Sequence, residues 1–411
     1  LPEIDKYAAR LLMISFFLPM KVQALVVMAV CVYFVASAVT AGKQIPRSNF
    51  LWAFILGSVY LLYLFAIPMT AEEDKTALLK VCGNRVSLLL MPFAFAVIAP
   101  VFGALLRREM IWFVFGSIVS CIVGNVGFAY KYYFVTGKHI LTHSMYRITF
   151  EAVNGIHPTY MGMYLVLSIF ILLSTVAFSE RYGKAITYGL FYLLLIFLLA
   201  LLAKSPLVAF AIIFIHYGYL NRQSLMKHKV LISSMLVAVI AACYFIPFVG
   251  QRVQEISSYF GFGKHGSVAD NSVYIRKLIW DIDTSLLKDN WLTGVGPGSV
   301  VHLLHEHYFF YSLANHFNVG YYDPHNEYFY VWLSFGIIGI VLFLLILAIQ
   351  FARSIIRKDH LYTYLLIILT ITFFTETVLS RQMGVLFYSV FTSFFFFLNS
   401  DDQTGDSKEY Q

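Results

Sequence analysis

Long apolar runs narrow the folds open to this sequence more than any other feature. Runs of about 20 residues rich in Leu, Ile, Val, Phe and Ala recur along most of the chain, as in 331–349 (VWLSFGIIGIVLFLLILAI). A helix needs about that length to cross a hydrocarbon core of roughly 30 Å. The runs do not alternate residue by residue as the strands of a membrane barrel do. About twelve spans are predicted, near 7–20, 22–41, 50–70, 86–106, 110–130, 158–178, 185–203, 205–220, 230–249, 326–352, 360–377 and 384–399. The expected fold is an all-α polytopic membrane protein. Composition agrees: 60% of the 411 residues are hydrophobic and only 12% are charged, against about 25% charged in an ordinary globular chain. A soluble enzyme of this composition would expose large apolar patches. A disordered chain would need far less hydrophobicity. The four cysteines (Cys31, Cys82, Cys121, Cys243) lie in or near apolar runs without CxxC spacing, so they suggest buried thiols rather than a disulfide frame.

The charges are placed unevenly. Five short loops hold Lys43/Arg47, Arg107/Arg108, Arg181/Lys184, Arg222/Lys227/Lys229 and Arg353/Arg357/Lys358, with few acids beside them. They follow every second span, so the positive-inside rule puts these loops and both termini in the cytoplasm. The net charge of +7 is thereby accounted for by topology, without a nucleic-acid partner. Two opposite loops are long, about 131–157 and about 250–325. The expected organisation is helices one to nine over 1–249, a large loop on the side opposite the cytoplasm forming a folded lid over 250–325, helices ten to twelve over 326–400, and a cytoplasmic tail over 401–411. Within the lid, 272–288 reads as an amphipathic helix. Ile275, Leu278, Ile279, Ile282, Leu286 and Leu287 form its apolar stripe, and Arg276, Trp280 and Asp283 share another face.

Chemistry concentrates on that same predicted side. His325 and Asn326 stand where the lid re-enters the membrane, and Gly336 and Gly339 follow inside an apolar helix. An imidazole at such a boundary suits a general base, although Asp323 before Pro324 also reads as a plain helix N-cap with an interfacial histidine beside it. The glycines permit close approach of a neighbouring helix. Arg276, Lys204, Arg147 and Arg381 are cations on the histidine's side, and Lys204 interrupts a nearly continuous apolar run. Ionisable groups at membrane depth are costly and usually functional. If these cations point at one pocket, they suit a diphosphate; otherwise each is a snorkelling or paired residue. Gly294–Gly298 (GVGPG) reads as a tight turn rather than a phosphate loop, since it follows a helix. His302, His305 and His307 with Glu306 lack a fixed metal-ligand spacing, so no metal is expected. The aromatic stretch 308–330 fits an interfacial belt or sugar stacking equally well.

In this combination the chain resembles the O-antigen ligases and related Wzy-type polymerases. The resemblance rests on the long loop after the ninth span, on Arg276 and Trp280 four residues apart, on the turn at Gly294, Gly296 and Gly298, and on His325-Asn326 with Gly336 and Gly339 eleven and fourteen residues beyond the histidine. His157-Pro158 is a softer shared feature. In many family members a Ser-Arg pair opens the eighth helix. Here Ala203-Lys204-Ser205 stands there, so Lys204 takes the place of the arginine as a point charge. Ser334 replaces an acid often found two residues before the first helix glycine.

The resemblance implies an inner-membrane glycosyltransferase with its site facing the periplasm. It implies transfer of a glycan from a polyprenyl (undecaprenyl) diphosphate carrier to lipid A–core, by inverting displacement without metal or other cofactor. Catalysis would fall to His325 as base and to Arg276. Lys204, Arg147, Arg381, Asn326 and Trp280 would bind substrate. A Wzy-type polymerase or a protein O-oligosaccharyltransferase would share the same motifs. A secondary transporter fits less well, because no half-repeat is visible and mid-span ionisable residues are scarce.

Overall fold

The computed structural model describes residues 3–42, 44–135, 143–175, 181–222, 272–315 and 322–398. Among them every regular element is a helix. In chain order these are α1 (Glu3–Ser15), α2 (Met20–Thr40), α3 (Arg47–Ala66), α4 (Glu72–Arg85), α5 (Ser87–Glu109), α6 (Ile111–Ala129), α7 (His143–Asn154), α8 (Pro158–Thr175), α9 (Arg181–Leu201) and α10 (Lys204–Leu220). After residues 223–271 come α11 (Ser272–Asn290), α12 (Val300–Asn315), α13 (Glu327–Ile356), α14 (His360–Phe373) and α15 (Gln382–Phe397).

Among the described residues five helices are long and apolar enough to cross a membrane: Met20–Thr40, Arg47–Met69, Glu72–Glu109, Ile111–Phe134 and Glu327–Ile356. The bent pair Ser144–Asn154 and Pro158–Ser174, at 77°, makes a sixth if taken as one span. Four shorter apolar helices fall where spans are predicted: Ala185–Leu201, Lys204–Leu220, His360–Phe373 and Gln382–Phe397. The run predicted near 7–20 gives only the 13-residue α1, whose buried Asp5 accepts a hydrogen bond from Tyr33 at 2.7 Å. The predicted loop 131–157 contains α7, which the apolar-run criterion passes over because α7 is amphipathic. The predicted ninth span, the first part of the lid and the tail lie outside the described residues.

The chain divides into two compact units. The first comprises 1–34, 102–257 and 363–371. Phe16, Phe17, Phe113 and Tyr164 meet there with ring centroids 5.1–6.2 Å apart. Leu202, at φ 45°, ends the helical path between α9 and α10, and Pro206 sits in the first turn of α10, where a missing N–H does no harm. Gly162 of α8 lets that turn approach, since a Cβ there would lie 2.8 Å from Pro206 Cγ.

The second unit comprises 35–101, 258–362 and 372–411. Its longest helix is α13. Asn326 caps the start, its Oδ1 accepting the Phe329 N–H at 3.1 Å. At the far end Arg353 and Arg357 donate to the carbonyl of Phe396 at 2.7 and 3.0 Å. Cations placed at the last carbonyls of α15 satisfy groups that the helix itself leaves open. The amphipathic α11 buries Leu278, Ile279, Leu286 and Leu287 against Val300, Leu304 and Tyr308 of α12 and Tyr330 and Leu333 of α13. The apolar stripe expected over 272–288 is the face that packs.

Helix α13 is broken at Gly336, which has φ 60° and ψ −154°. In an unbroken helix the Ile337 N–H would bond the Leu333 carbonyl. Instead Ile337 donates to Leu292 O at 3.2 Å, and Leu333 O accepts from Val295 N at 2.7 Å. The turn after α11 is thus spliced into the helix. Gly294 and Gly296 supply the left-handed conformations of that turn, at φ 72° and 92°. A Cβ on Gly336 would stand 2.1 Å from Leu292 O. The glycine permits close approach of a turn, where the sequence suggested a helix.

Candidate functional site

The site forms where the chain enters α13. His325 has φ 45°, a left-handed conformation rare for a residue with a Cβ. Its backbone N–H donates to Asp323 Oδ1 at 3.1 Å, holding the bend. Asp323 is therefore not the N-cap expected from its place before Pro324. Asn326 does that work, and Asp323 Oδ2 accepts from Thr377 Oγ1 at 2.6 Å.

The bend aims the imidazole at a carboxylate. His325 Nδ1 lies 3.2 Å from Glu376 Oε2. The other oxygen of Glu376 accepts from Arg276 Nη2 at 2.8 Å. One carboxylate therefore joins the two residues that the sequence nominated for catalysis. A carboxylate at Nδ1 favours the tautomer with its proton there, leaving the Nε2 lone pair to accept. Among the described residues no protein group hydrogen-bonds Nε2. The Tyr322 ring, 5.8 Å from the imidazole, covers another side. His325, Arg276 and Glu376 side chains remain 22%, 25% and 14% exposed, so a substrate can reach them.

Arg276 owes its aim to α11. With its stripe packed against α12 and α13, the Arg276, Trp280 and Asp283 positions lie one and two turns apart on another face. Trp280 sets its ring edge-on to Phe329 in the first turn of α13, centroids 6.3 Å apart. Among the described residues its Nε1 has no hydrogen-bond partner, nor do Arg276 Nε, either Asp283 oxygen or the Tyr308 hydroxyl, all buried. Burial, then the nearby Asp323 carboxylate, raises the Asp283 acid well above the ordinary carboxylate range. The same burial pushes the Tyr308 phenol upward, with Asp283 and Asp323 adding to the shift. The indole Nε1 and the guanidinium Nε are thus buried donors left open on the helix whose Arg276 also bonds Glu376.

The remaining nominated cations are divided between the two units. Arg381, in the second unit, is exposed at the N-cap position of α15. Lys204 and Arg147 belong to the first unit, Lys204 half-buried as the opening residue of α10 and Arg147 half-buried on α7. His157 Nδ1 accepts the Thr159 N–H at 3.3 Å at the start of α8, a capping role. On α12, His302 lies 3.9 Å from Glu306 and His307 Nδ1 lies 2.9 Å from the Leu303 carbonyl. No group of three metal-ligating side chains occurs among the described residues.

Sequence reasoning missed Glu376, Thr377 and Arg85. Glu376 falls inside the predicted span 360–377, and an acid in an apolar run is itself a signal. Arg85 stands at the edge of another span. Its guanidinium lies 4.8 Å from the Tyr63 ring and 4.4 Å from that of Tyr330, and Nη2 donates to Ser380 Oγ at 2.7 Å.

A family model described as O-antigen ligase matches residues 189–344. The matched stretch includes Lys204, Arg276, Trp280, His325 and Asn326, together with the spliced turn and Gly336. No match is found among curated proteins.

Proposed function

We propose that this chain, a multi-pass membrane protein of the O-antigen ligase and Wzy-type family through its residues 189–344, transfers a glycan from a polyprenyl diphosphate to the core sugar of lipid A. The observation that carries the reading is Glu376 gripping His325 Nδ1 at 3.2 Å and Arg276 at 2.8 Å. That arrangement sets a proton acceptor beside a cation.

In this reaction His325 Nε2 takes the proton of an acceptor hydroxyl. The freed oxygen attacks the anomeric carbon from the face opposite the diphosphate. The bond between that carbon and the diphosphate oxygen breaks, its electrons pass to the diphosphate, and the anomeric configuration inverts. Arg276 meets the charge that develops on the leaving group, the task for which a preorganised guanidinium is suited. Lys204, Arg147 and Arg381 are kept as further cations for the diphosphate on the strength of the family resemblance. Trp280, its ring against Phe329, and Asn326, the cap of α13, form the wall beside the bound substrate. The reaction calls for no metal. The positive-inside rule supports a place for His325 at the periplasmic face of the inner membrane. Arg353 and Arg357 at the opposite end of α13 support that orientation.

The test is transfer by the purified chain in lipid, given undecaprenyl-diphosphate glycan and lipid A–core. Labelled lipid A–core is the expected product, and His325→Ala is expected to lose roughly 10²–10⁴ in rate. Extension of a second lipid-linked glycan instead would make the chain a polymerase. Labelling of a serine or threonine in a protein would make it an oligosaccharyltransferase. Wild-type transfer by His325→Ala would remove the histidine from the chemistry.

A further inference from the structure

His325 and Glu376 form the middle rung of a ladder between two segments distant in sequence, 323–327 and 376–380. On one side Thr377 Oγ1 donates to Asp323 Oδ2 at 2.6 Å. On the other the Leu379 N–H donates to Glu327 Oε2 at 2.8 Å. Arg85, from the end of α4, closes this last rung. Its Nη2 lies 3.9 Å from Glu327 Oε1 and donates to Ser380 Oγ at 2.7 Å. Tyr63 of α3 and Tyr330 of α13 hold its guanidinium by their ring faces. Arg85 is 2% exposed and Glu327 is wholly buried, so neither can meet substrate.

We infer that Arg85 and Glu327 are positioning residues for the His325–Glu376 pair, an inference that rests on the proposed role of His325. A buried ion pair stabilises a fold poorly compared with apolar packing, because each charge must give up its hydration. Stability therefore gives little reason for this one. What it fixes is relative position. Glu327 lies two residues after His325 and bonds a residue three after Glu376, so the rung sets the distance between base and carboxylate. Arg85 binds both sides of the rung, one through Glu327 and Tyr330 and the other through Ser380. His325 needs such support, because a left-handed backbone persists only where the surroundings dictate it.

The experiment measures kcat and donor KM for the full chain in lipid, normalised to folded protein. Glu327→Ala removes the rung and is expected to lower kcat roughly tenfold to a hundredfold, with donor KM changed by less than about twofold. Glu327→Gln keeps an acceptor for the Leu379 N–H and is expected to recover most of that loss. Arg85→Lys keeps the charge without the planar fork and should lower kcat severalfold at unchanged KM. An unaltered kcat per folded molecule, or a loss confined to KM, would overturn the inference. If Glu327→Ala does not fold, Arg85→Lys decides by the same two numbers. His325→Ala run alongside separates the two readings. Its inactivity together with unimpaired rung variants refutes the positioning role alone, and its full activity refutes the catalytic reading first.

Discussion

Two arginine–glutamate pairs flank His325, and they differ in a way that separates scaffold from chemistry. Arg85 and Glu327 are 2% and 0% exposed and 3.9 Å apart, and both are committed to neighbours on several elements. Arg276 and Glu376 are 25% and 14% exposed and in direct contact at 2.8 Å. The closer pair is thus the more open one. A pair reached by water exchanges partners at low cost, whereas breaking a buried pair leaves a charge uncompensated. On the proposed reading Arg276 can turn from Glu376 to an incoming diphosphate without disturbing the fold. Arg85 cannot.

Removing the outer pair should therefore strike activity and spare stability. Arg276→Ala is expected to lower transfer on the order of 10²–10³, and Glu376→Gln roughly tenfold, by loosening the histidine. The melting temperature of each variant should match wild type. A large thermal loss in either would erase the distinction between the pairs.

The scaffold side is sharpened by Gly336→Ala. The added methyl meets Leu292 O in a backbone region that L-residues avoid, so a loss of about 1–3 kcal/mol is expected. It would be read as a lower melting temperature, and an unchanged one would mean that the splice contributes little. The smallest effect belongs to Asp283. Its folded pKa is raised, so stability is full below the unfolded carboxylate value and falls as pH rises toward the folded one. Asp283→Asn, neutral throughout, should melt as wild type does near about pH 4 and a few degrees higher near about pH 8. Equal shifts at both would show that the acid is not held neutral.

Much of the site was legible because its parts are local. Arg276 and Trp280 share a helix face by their four-residue spacing, and His325 stands at the edge of an apolar run that no loop composition disguises. Gly336 announced a close approach, though not its partner, since a glycine reports room and never what fills it. Glu376 escaped because its role depends on a contact across 51 residues. Apolar periodicity counts such an acid as a tolerated blemish in a span. The span count was the least legible feature. Amphipathic α1 and α7 depend on packing that hydropathy averages away.

The spliced turn carries a mechanical consequence. Two backbone groups of α13, the Leu333 carbonyl and the Ile337 amide, find their partners only on the segment between α11 and α12. Pulling that segment away would strand both in apolar surroundings, at a cost of about 2–7 kcal/mol for each polar group in a medium without hydrogen bonds. The hairpin of α11 and α12 is thereby anchored to the membrane helix. Lifting it off would break these bonds together with the apolar packing of α11 on α13. On the proposed reading a long lipid-linked glycan would then slide in from the side, with Arg276 keeping its bearing on His325.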